Sequence, residues 1–200
     1  MYTTVLLDLG NVVLGIDFRR VFEHWATAAN VPTDQFLSRW QMDSAYNAHE
    51  TGHLDFTGYS QHLSSLFDVT LSDNDWQTGW NSIWTEPFHD VVDLLPDISE
   101  RYQLAAFSNT NDTHATGFKA RFPSALQSFQ RVFLSHEIGR RKPDVESFSW
   151  VCGEMGTAPG EVLFIDDNQE NVLGAQQAGM HARHVSSQQE VANILGGLLD

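Results

Sequence analysis

Two carboxylate clusters, a lysine and a hydroxyl–amide pair stand out in the chain, each just after a short apolar run. Asp8 follows Thr4-Val5-Leu6-Leu7, with Gly10 and Asn11 close behind. Ser108, Asn109, Thr110 and Asn111 follow Gln103–Phe107, and Gly139-Arg140-Arg141-Lys142-Pro143 comes after Arg131–Leu134. Asp166-Asp167-Asn168 ends the run Val162–Ile165. Carboxylates crowded together repel, so either one is protonated or a cation is bound. With no His or Cys beside them they suit a hard, oxygen-preferring ion, and Mg²⁺ retaining several waters fits best. Such an ion beside Lys142 makes a local positive pocket, which takes a phosphoryl group. Ser108 and main-chain N–H groups after the second run can donate to the phosphoryl oxygens.

This chemistry requires the four stretches to meet. The apolar runs lack polar alternation, as expected of strands buried on both faces. A weaker fifth run lies near His181–Val185. Helical stretches separate the later runs: Pro143 can open one over Asp144–Met155, and Gly179 can end another over Asn168–Ala178. Alternating strands and helices predict an α/β fold with a Rossmann-like parallel sheet covered on both faces. Ligands bind such a sheet beyond the carboxyl ends of its strands, which is where all four clusters fall.

Residues 18–102 break the rhythm with helical periodicity and no convincing strand. Asp17, Thr33, Asp55 and Ser72 are candidate caps for helices running to Ala29, toward Tyr46, through Phe67 and onward from Ser72. A last helix is predicted over Phe88–Tyr102, kinked or split at Pro96. The division expected is an α/β core of 1–17 and 103–200 with a small helical cap, 18–102, inserted after the first strand.

Composition bounds the function. The chain has 200 residues, 42% of them hydrophobic, with 13 Phe and 6 Trp, enough for a sizeable core. A formal charge of −15 disfavours nucleic acid and anionic membrane surfaces as partners. A lone Cys152 excludes an internal disulfide framework and a cysteine-rich zinc site. No apolar run reaches the ~18 residues of a spanning helix. The strand-like opening leaves no room for a targeting peptide, so the expectation is a cytoplasmic monomer whose partner is a small phosphorylated metabolite.

Asp8-Leu9-Gly10-Asn11-Val12, Ser108-Asn109-Thr110, Arg141-Lys142-Pro143-Asp144 and Phe164-Ile165-Asp166-Asp167-Asn168 together resemble, in order, the four motifs of the haloacid-dehalogenase-like hydrolase superfamily. The likeness spans essentially the whole chain. Asp-Leu-Gly-Asn-Val with His49-Glu50-Thr51-Gly52 is most similar to the bacterial α-D-glucose-1-phosphate phosphatases. The resemblance implies that Asp8 attacks phosphorus and forms an aspartyl-phosphate. Asp8, Asp166 and the carbonyl of Gly10 would hold Mg²⁺. Lys142 and Ser108 would stabilise the transferring phosphoryl, with Asn109 beside them in the substrate site. Asp167 would orient Lys142 or a metal-bound water.

One position departs from the pattern. Most phosphatases of this superfamily carry an acid two residues after the nucleophile, and here Gly10 stands there. General acid–base help is worth ~10²–10⁴-fold, so either a cap residue replaces it or the leaving group needs it less. His49, Glu50, His53 and Asp17 are the replacement candidates, and a sugar 1-phosphate fits the second option. A 2-haloacid dehalogenase, in which Asp8 attacks carbon without a metal, is the competing enzyme, although the Asp166-Asp167 pair would repel its anionic substrate. A non-catalytic phosphometabolite-binding protein is the third reading.

Plainer roles compete at each site. Asp8 could be a turn residue, Asp166-Asp167 a helix cap, Ser108-Asn109 a polar turn, and Lys142 the solvated end of a basic run with Arg140 and Arg141. Four clusters in order favour function for the named residues, and solvation for the two arginines. Trp76, Trp80 and Trp84 recur at helical spacing, and core packing within the cap is favoured over a sugar-stacking platform.

Overall fold

The computed structural model describes residues 2–200. Strand β1 (Thr4–Leu7) leads into β2 (Leu14–Ile16), α1 (Phe18–Ala29) and α2 (Asp34–Leu37). Then come α3 (Ser44–Glu50), α4 (Phe56–Phe67), α5 (Asp73–Asn81) and β3 (Trp84–Pro87). After α6 (His89–Val92) and α7 (Leu95–Arg101) the alternation begins with β4 (Gln103–Ser108), α8 (Asp112–Arg121) and α9 (Pro123–Leu126). It continues through β5 (Arg131–Leu134), α10 (Ser135–Ile138), α11 (Val145–Met155) and β6 (Val162–Asp166). The chain ends with α12 (Gln169–Gln177), β7 (His181–His184) and α13 (Gln188–Leu199).

Five strands form one parallel sheet in the order β5-β4-β1-β6-β7, the expected α/β architecture. β1 is central and pairs Leu7 with Ala106 on one side and Ile165 on the other. Its side chains alternate between two cores. Val5 and Leu7 join Leu104, Ala106, Leu163 and Ile165, while Leu6 joins Ala105, Phe107 and Phe164. Burial on both faces is why these strands read as unbroken apolar runs. β7 lies at the edge and is largely exposed, which accounts for its weak signal.

Asp17, Asp55 and Ser72 cap α1, α4 and α5 through their side chains, as the sequence predicts. Three expectations between β1 and β4 need correction. The helix predicted from Thr33 toward Tyr46 is two helices, because the Asp43 side chain accepts the Tyr46 N–H and starts α3 afresh. The irregular link between them lets Trp40 pack on Phe18 and Phe22, at 4.7 and 5.6 Å between ring centroids. A strand does occur: β3 pairs antiparallel with β2, Leu14 opposite Pro87 and Ile16 opposite Trp84. Trp84 therefore lies on this strand and not on the helix bearing Trp76 and Trp80. A four-residue strand containing Glu86 and Pro87 leaves no alternation to detect. Pro96 falls in the first turn of α7, where it splits the predicted Phe88–Tyr102 helix.

Aromatic packing fixes the helical lobe. The Trp25 and Trp80 rings stack at 5.7 Å with 5° between planes, and Trp76 meets Trp25 edge-on at 4.9 Å. A Cβ on Gly79 would sit 2.3 Å from the Trp25 ring, so only glycine lets α5 approach α1 this closely. Trp80 also stacks on His114 of α8 at 4.5 Å and donates its indole N–H to Asn111, tying the lobe to the sheet's helices. Among the described residues no helix is long and apolar enough to cross a membrane.

Candidate functional site

The carboxyl ends of β1, β4 and β6 and the segment after α10 converge on one cavity of about 330 Å³. Asp8, Ser108, Asn109, Lys142 and Asp167 all line it. Carboxylate oxygens of Asp8, Asp166 and Asp167 lie within 4.8 Å of one another, although 158 residues separate the first two in sequence. Lys142 bridges them, with its Nζ 2.9 Å from Asp8 and 2.6 Å from Asp166. All-oxygen donors at this spacing fit a hard divalent cation. Asp8, Asp166 and Asp167 each offer a carboxylate oxygen to such an ion, and Gly10 lines the cavity beside them.

Burial dominates the electrostatics. Lys142 and Asp166 are almost fully buried and Asp8 is 9% exposed. Burial pushes the Asp8 carboxyl up to about 7, against the pull of Lys142 and with the repulsion of Asp166 and Asp167. A bound cation acts in the opposite direction and favours the ionised carboxylate. Burial pulls the Lys142 ammonium down, but Asp166 and Asp8 outweigh it and leave it above the ordinary lysine value.

Supporting contacts redistribute some expected roles. Asp166, not Asp167, receives the Lys142 ammonium, and Asp167 instead accepts from Asn11 Nδ2 at 3.2 Å. Asn11 adopts a left-handed φ of 53°, a conformation asparagine tolerates, at the sharp turn after β1. The Asn109 amide is used at both ends: its Nδ2 donates to the Lys142 carbonyl at 2.9 Å, and its Oδ1 accepts the Lys142 N–H at 2.8 Å. Asn109 thus sets the loop that presents Lys142, while Ser108 keeps its side chain at the cavity. Asn171, one turn into α12, donates Nδ2 to both Asp166 oxygens at 3.1 and 3.0 Å. Its separation of five residues from Asp166 was the only sequence signal for it.

Arg141 is a further correction. It is no solvated companion of Lys142: its guanidinium lies 2.8 Å from the Glu50 carboxylate on α3. Burial raises the Glu50 carboxyl, while Arg141 and Tyr46 draw it back. Ser135 strengthens the same seam, accepting the Thr110 N–H at 2.8 Å and contacting the Glu50 carbonyl at 2.6 Å. A lone serine at a helix start carried no sign of this. Arg140 lies over the Trp150 ring at 5.9 Å.

Position 10 opens on the cavity and faces the Ile16 side chain. A Cβ there would meet Ile16 Cδ1 at 3.3 Å, a tight contact that a small shift of the isoleucine would relieve. Three of the suggested replacements for an acid at this position are occupied elsewhere. Asp17 caps α1 through its side chain, His53 is exposed and bonded to Thr51, and His49 Nδ1 is held by the Leu54 carbonyl at 2.8 Å. Glu50 alone of the four lines the cavity.

A profile of the haloacid dehalogenase-like hydrolases matches residues 26–185, a stretch that includes Ser108, Lys142 and Asp166-Asp167 and begins 18 residues after Asp8. The chain is 21% identical over 184 residues to D-ribitol-5-phosphate phosphatase of Bacteroides thetaiotaomicron, covering 90% of this chain and 89% of that one. It superposes on a haloacid-dehalogenase family enzyme from Bacteroides thetaiotaomicron, solved with magnesium and inorganic phosphate, with a TM-score of 0.83. That likeness is 26% identical and covers 94% of this chain and 96% of the other. A predicted haloacid-dehalogenase-like hydrolase from Porphyromonas gingivalis shares the fold, with a TM-score of 0.85, 21% identity and coverage of 100% and 98%. The chain belongs to the haloacid dehalogenase-like hydrolase family.

Proposed function

We propose that this chain is a Mg²⁺-dependent phosphatase of small phosphorylated metabolites, a sugar or polyol phosphate such as glucose 1-phosphate or D-ribitol 5-phosphate. The observation that carries the reading is the buried Lys142 ammonium bridging Asp8 and Asp166 beneath an open cavity. Phosphate monoesters are dianions, and catalysis of their transfer is chiefly positioning and charge stabilisation. Asp8 attacks phosphorus as its ester oxygen leaves, and water then releases phosphate from the aspartyl-phosphate and regenerates the carboxylate. Lys142 and the Ser108 hydroxyl stabilise the equatorial oxygens, and Asn109 fixes the Lys142 main chain. Mg²⁺ held by Asp8, Asp166 and the Gly10 carbonyl would supply the remaining positive charge. In this reading the cap of residues 18–102 covers a core of 1–17 and 103–200, and a monomer acts on the metabolite with no nucleic acid or membrane involved.

Gly10 leaves the leaving group without a side-chain acid from that position. A hemiacetal oxygen, less basic than an ordinary alcohol, needs that acid less, which favours sugar 1-phosphates. Rates that stay level across esters of rising alcohol pKa would contradict this preference. The function itself is tested by assaying phosphate release from sugar, polyol and nucleotide phosphates in Mg²⁺ and in excess EDTA. Turnover of a sugar or polyol phosphate that stops in EDTA and returns with Mg²⁺ is expected. Metal-independent turnover of a 2-haloacid would instead support the dehalogenase reading.

A further inference from the structure

We infer that Glu50 and Arg141 read the leaving group, hydrogen-bonding hydroxyls of a polyhydroxylated phosphate ester at the seam between the helical lobe and the sheet. This rests on the phosphatase reading and names the part of the substrate that the pair selects. Both residues line the cavity above Asp8. Glu50 comes from α3, where the Ser135 hydroxyl holds its carbonyl, and Arg141 immediately precedes Lys142. The pair therefore sits one residue from the group that grips the phosphoryl.

Glu50 brings a buried carboxylate to this pair while the Arg141 side chain stays 26% exposed, and a buried charge is a poor stabiliser unless its remaining lone pairs find partners. The Glu50 side chain is 4% exposed, yet among the described residues Glu50 Oε2 has only the 2.8 Å approach of the guanidinium and forms no well-aligned hydrogen bond. Arg141 Nε has no partner at all among those residues. Trp84 Nε1 and Thr110 Oγ1, on two more residues of the cavity wall, are buried and unpaired in the same sense. These atoms lie in the wall and not in the lumen, so a small rotation of the side chains must accompany binding. A carbon chain bearing successive hydroxyls matches such a wall, since each O–H can give to a carboxylate and accept from a guanidinium or indole. Its C–H faces meet Ile16 and Ile83. A hydrocarbon leaving group would seal the same polar atoms away unpaired, and a site of this kind rejects a ligand by that penalty.

The test compares a polyol or sugar phosphate with para-nitrophenyl phosphate, which carries no alcohol hydroxyl, in wild type and in Glu50→Gln with Mg²⁺ present. In Glu50→Gln, KM for the hydroxylated ester is expected to rise about tenfold more than KM for the aryl ester. Equal changes on both esters, or none on the hydroxylated one, would make the pair a structural brace and overturn the inference. Wild type that releases phosphate from neither ester fails the phosphatase reading itself, which is a separate outcome. Should Glu50→Gln not fold, monodeoxy analogues on wild type decide the matter. Loss of one hydroxyl must lower kcat/KM about tenfold, and a flat series overturns the inference.

Discussion

The floor and the roof of the cavity are built on opposite principles. On the floor almost every polar atom is held: Asp166 accepts from Lys142, Asn171 and the Asn168 N–H, Asp167 accepts from Asn11, and Asn109 clamps the Lys142 main chain. The roof is assembled from stacked aromatics, and buried polar groups short of partners line both sides of its seam with the floor. Charge stabilisation needs groups that do not reorganise during the reaction, and strand ends with short polar links supply them. Selection among leaving groups needs a surface completed by the ligand, and the seam has that character.

The sharpest way to break this contrast is on the floor. Asp8→Asn is expected to lower turnover at least ~10³-fold, with circular dichroism unchanged, because it removes the proposed nucleophile and not a packing element. Next, Asn171→Ala removes one donor from each Asp166 oxygen, leaving Lys142 on one and the Asn168 N–H on the other, and should cost about 10–100-fold in activity or Mg²⁺ affinity, the usual penalty for loss of a group that orients a ligand. Phosphate release titrated with Mg²⁺ reads both.

Two glycines then separate floor from roof. A Cβ at Gly174 would lie 2.1 Å from the Pro143 carbonyl, next to Lys142, whereas one at Gly79 would press the Trp25 ring at 2.3 Å. Each alanine should destabilise by about 1–3 kcal/mol in urea unfolding. Gly174→Ala is expected to lower kcat as well, since the backbone it displaces carries Lys142. Gly79→Ala should leave kcat on an aryl phosphate near wild type. Equal damage to kcat from both would erase the distinction.

The smallest effect is a pH slope. Burial drives the His114 imidazole down to about 3, the carbonyl of Trp80 opposing. Its unfolded form binds a proton below about 6.5, so its contribution is whole above that value and is lost as pH falls toward 3. The slope is at most about 1.4 kcal/mol per pH unit, and unfolding of His114→Gln between pH 6.5 and 4 should be flatter.

The floor was legible in the sequence because a buried parallel strand and the polar residues after it are contiguous in the chain. Asp8, Ser108, Lys142 and Asp166 could be found this way with no knowledge of the strand order. What escaped depends on contacts between distant elements. Asn171 reaches back to Asp166 from a helix, Ser135 joins α3 to the loop after β4, and Arg141 left the solvated run only because Glu50 waits on α3. In the roof, caps at Asp17, Asp55 and Ser72 marked helix starts, yet the strand holding Trp84 exists only through its pairing with β2. Local signals find elements and their ends, and tertiary pairing decides the rest.

Transfer of the phosphoryl group to the Asp8 carboxylate is read by rapid quenching of a single turnover with a sugar or polyol phosphate labelled in its phosphoryl group, in Mg²⁺. Acid-stable label is expected on the peptide containing Asp8, discharged on longer incubation and absent in Asp8→Asn. Phosphate released at the wild-type rate with no label on that peptide, or undiminished in Asp8→Asn, would contradict it.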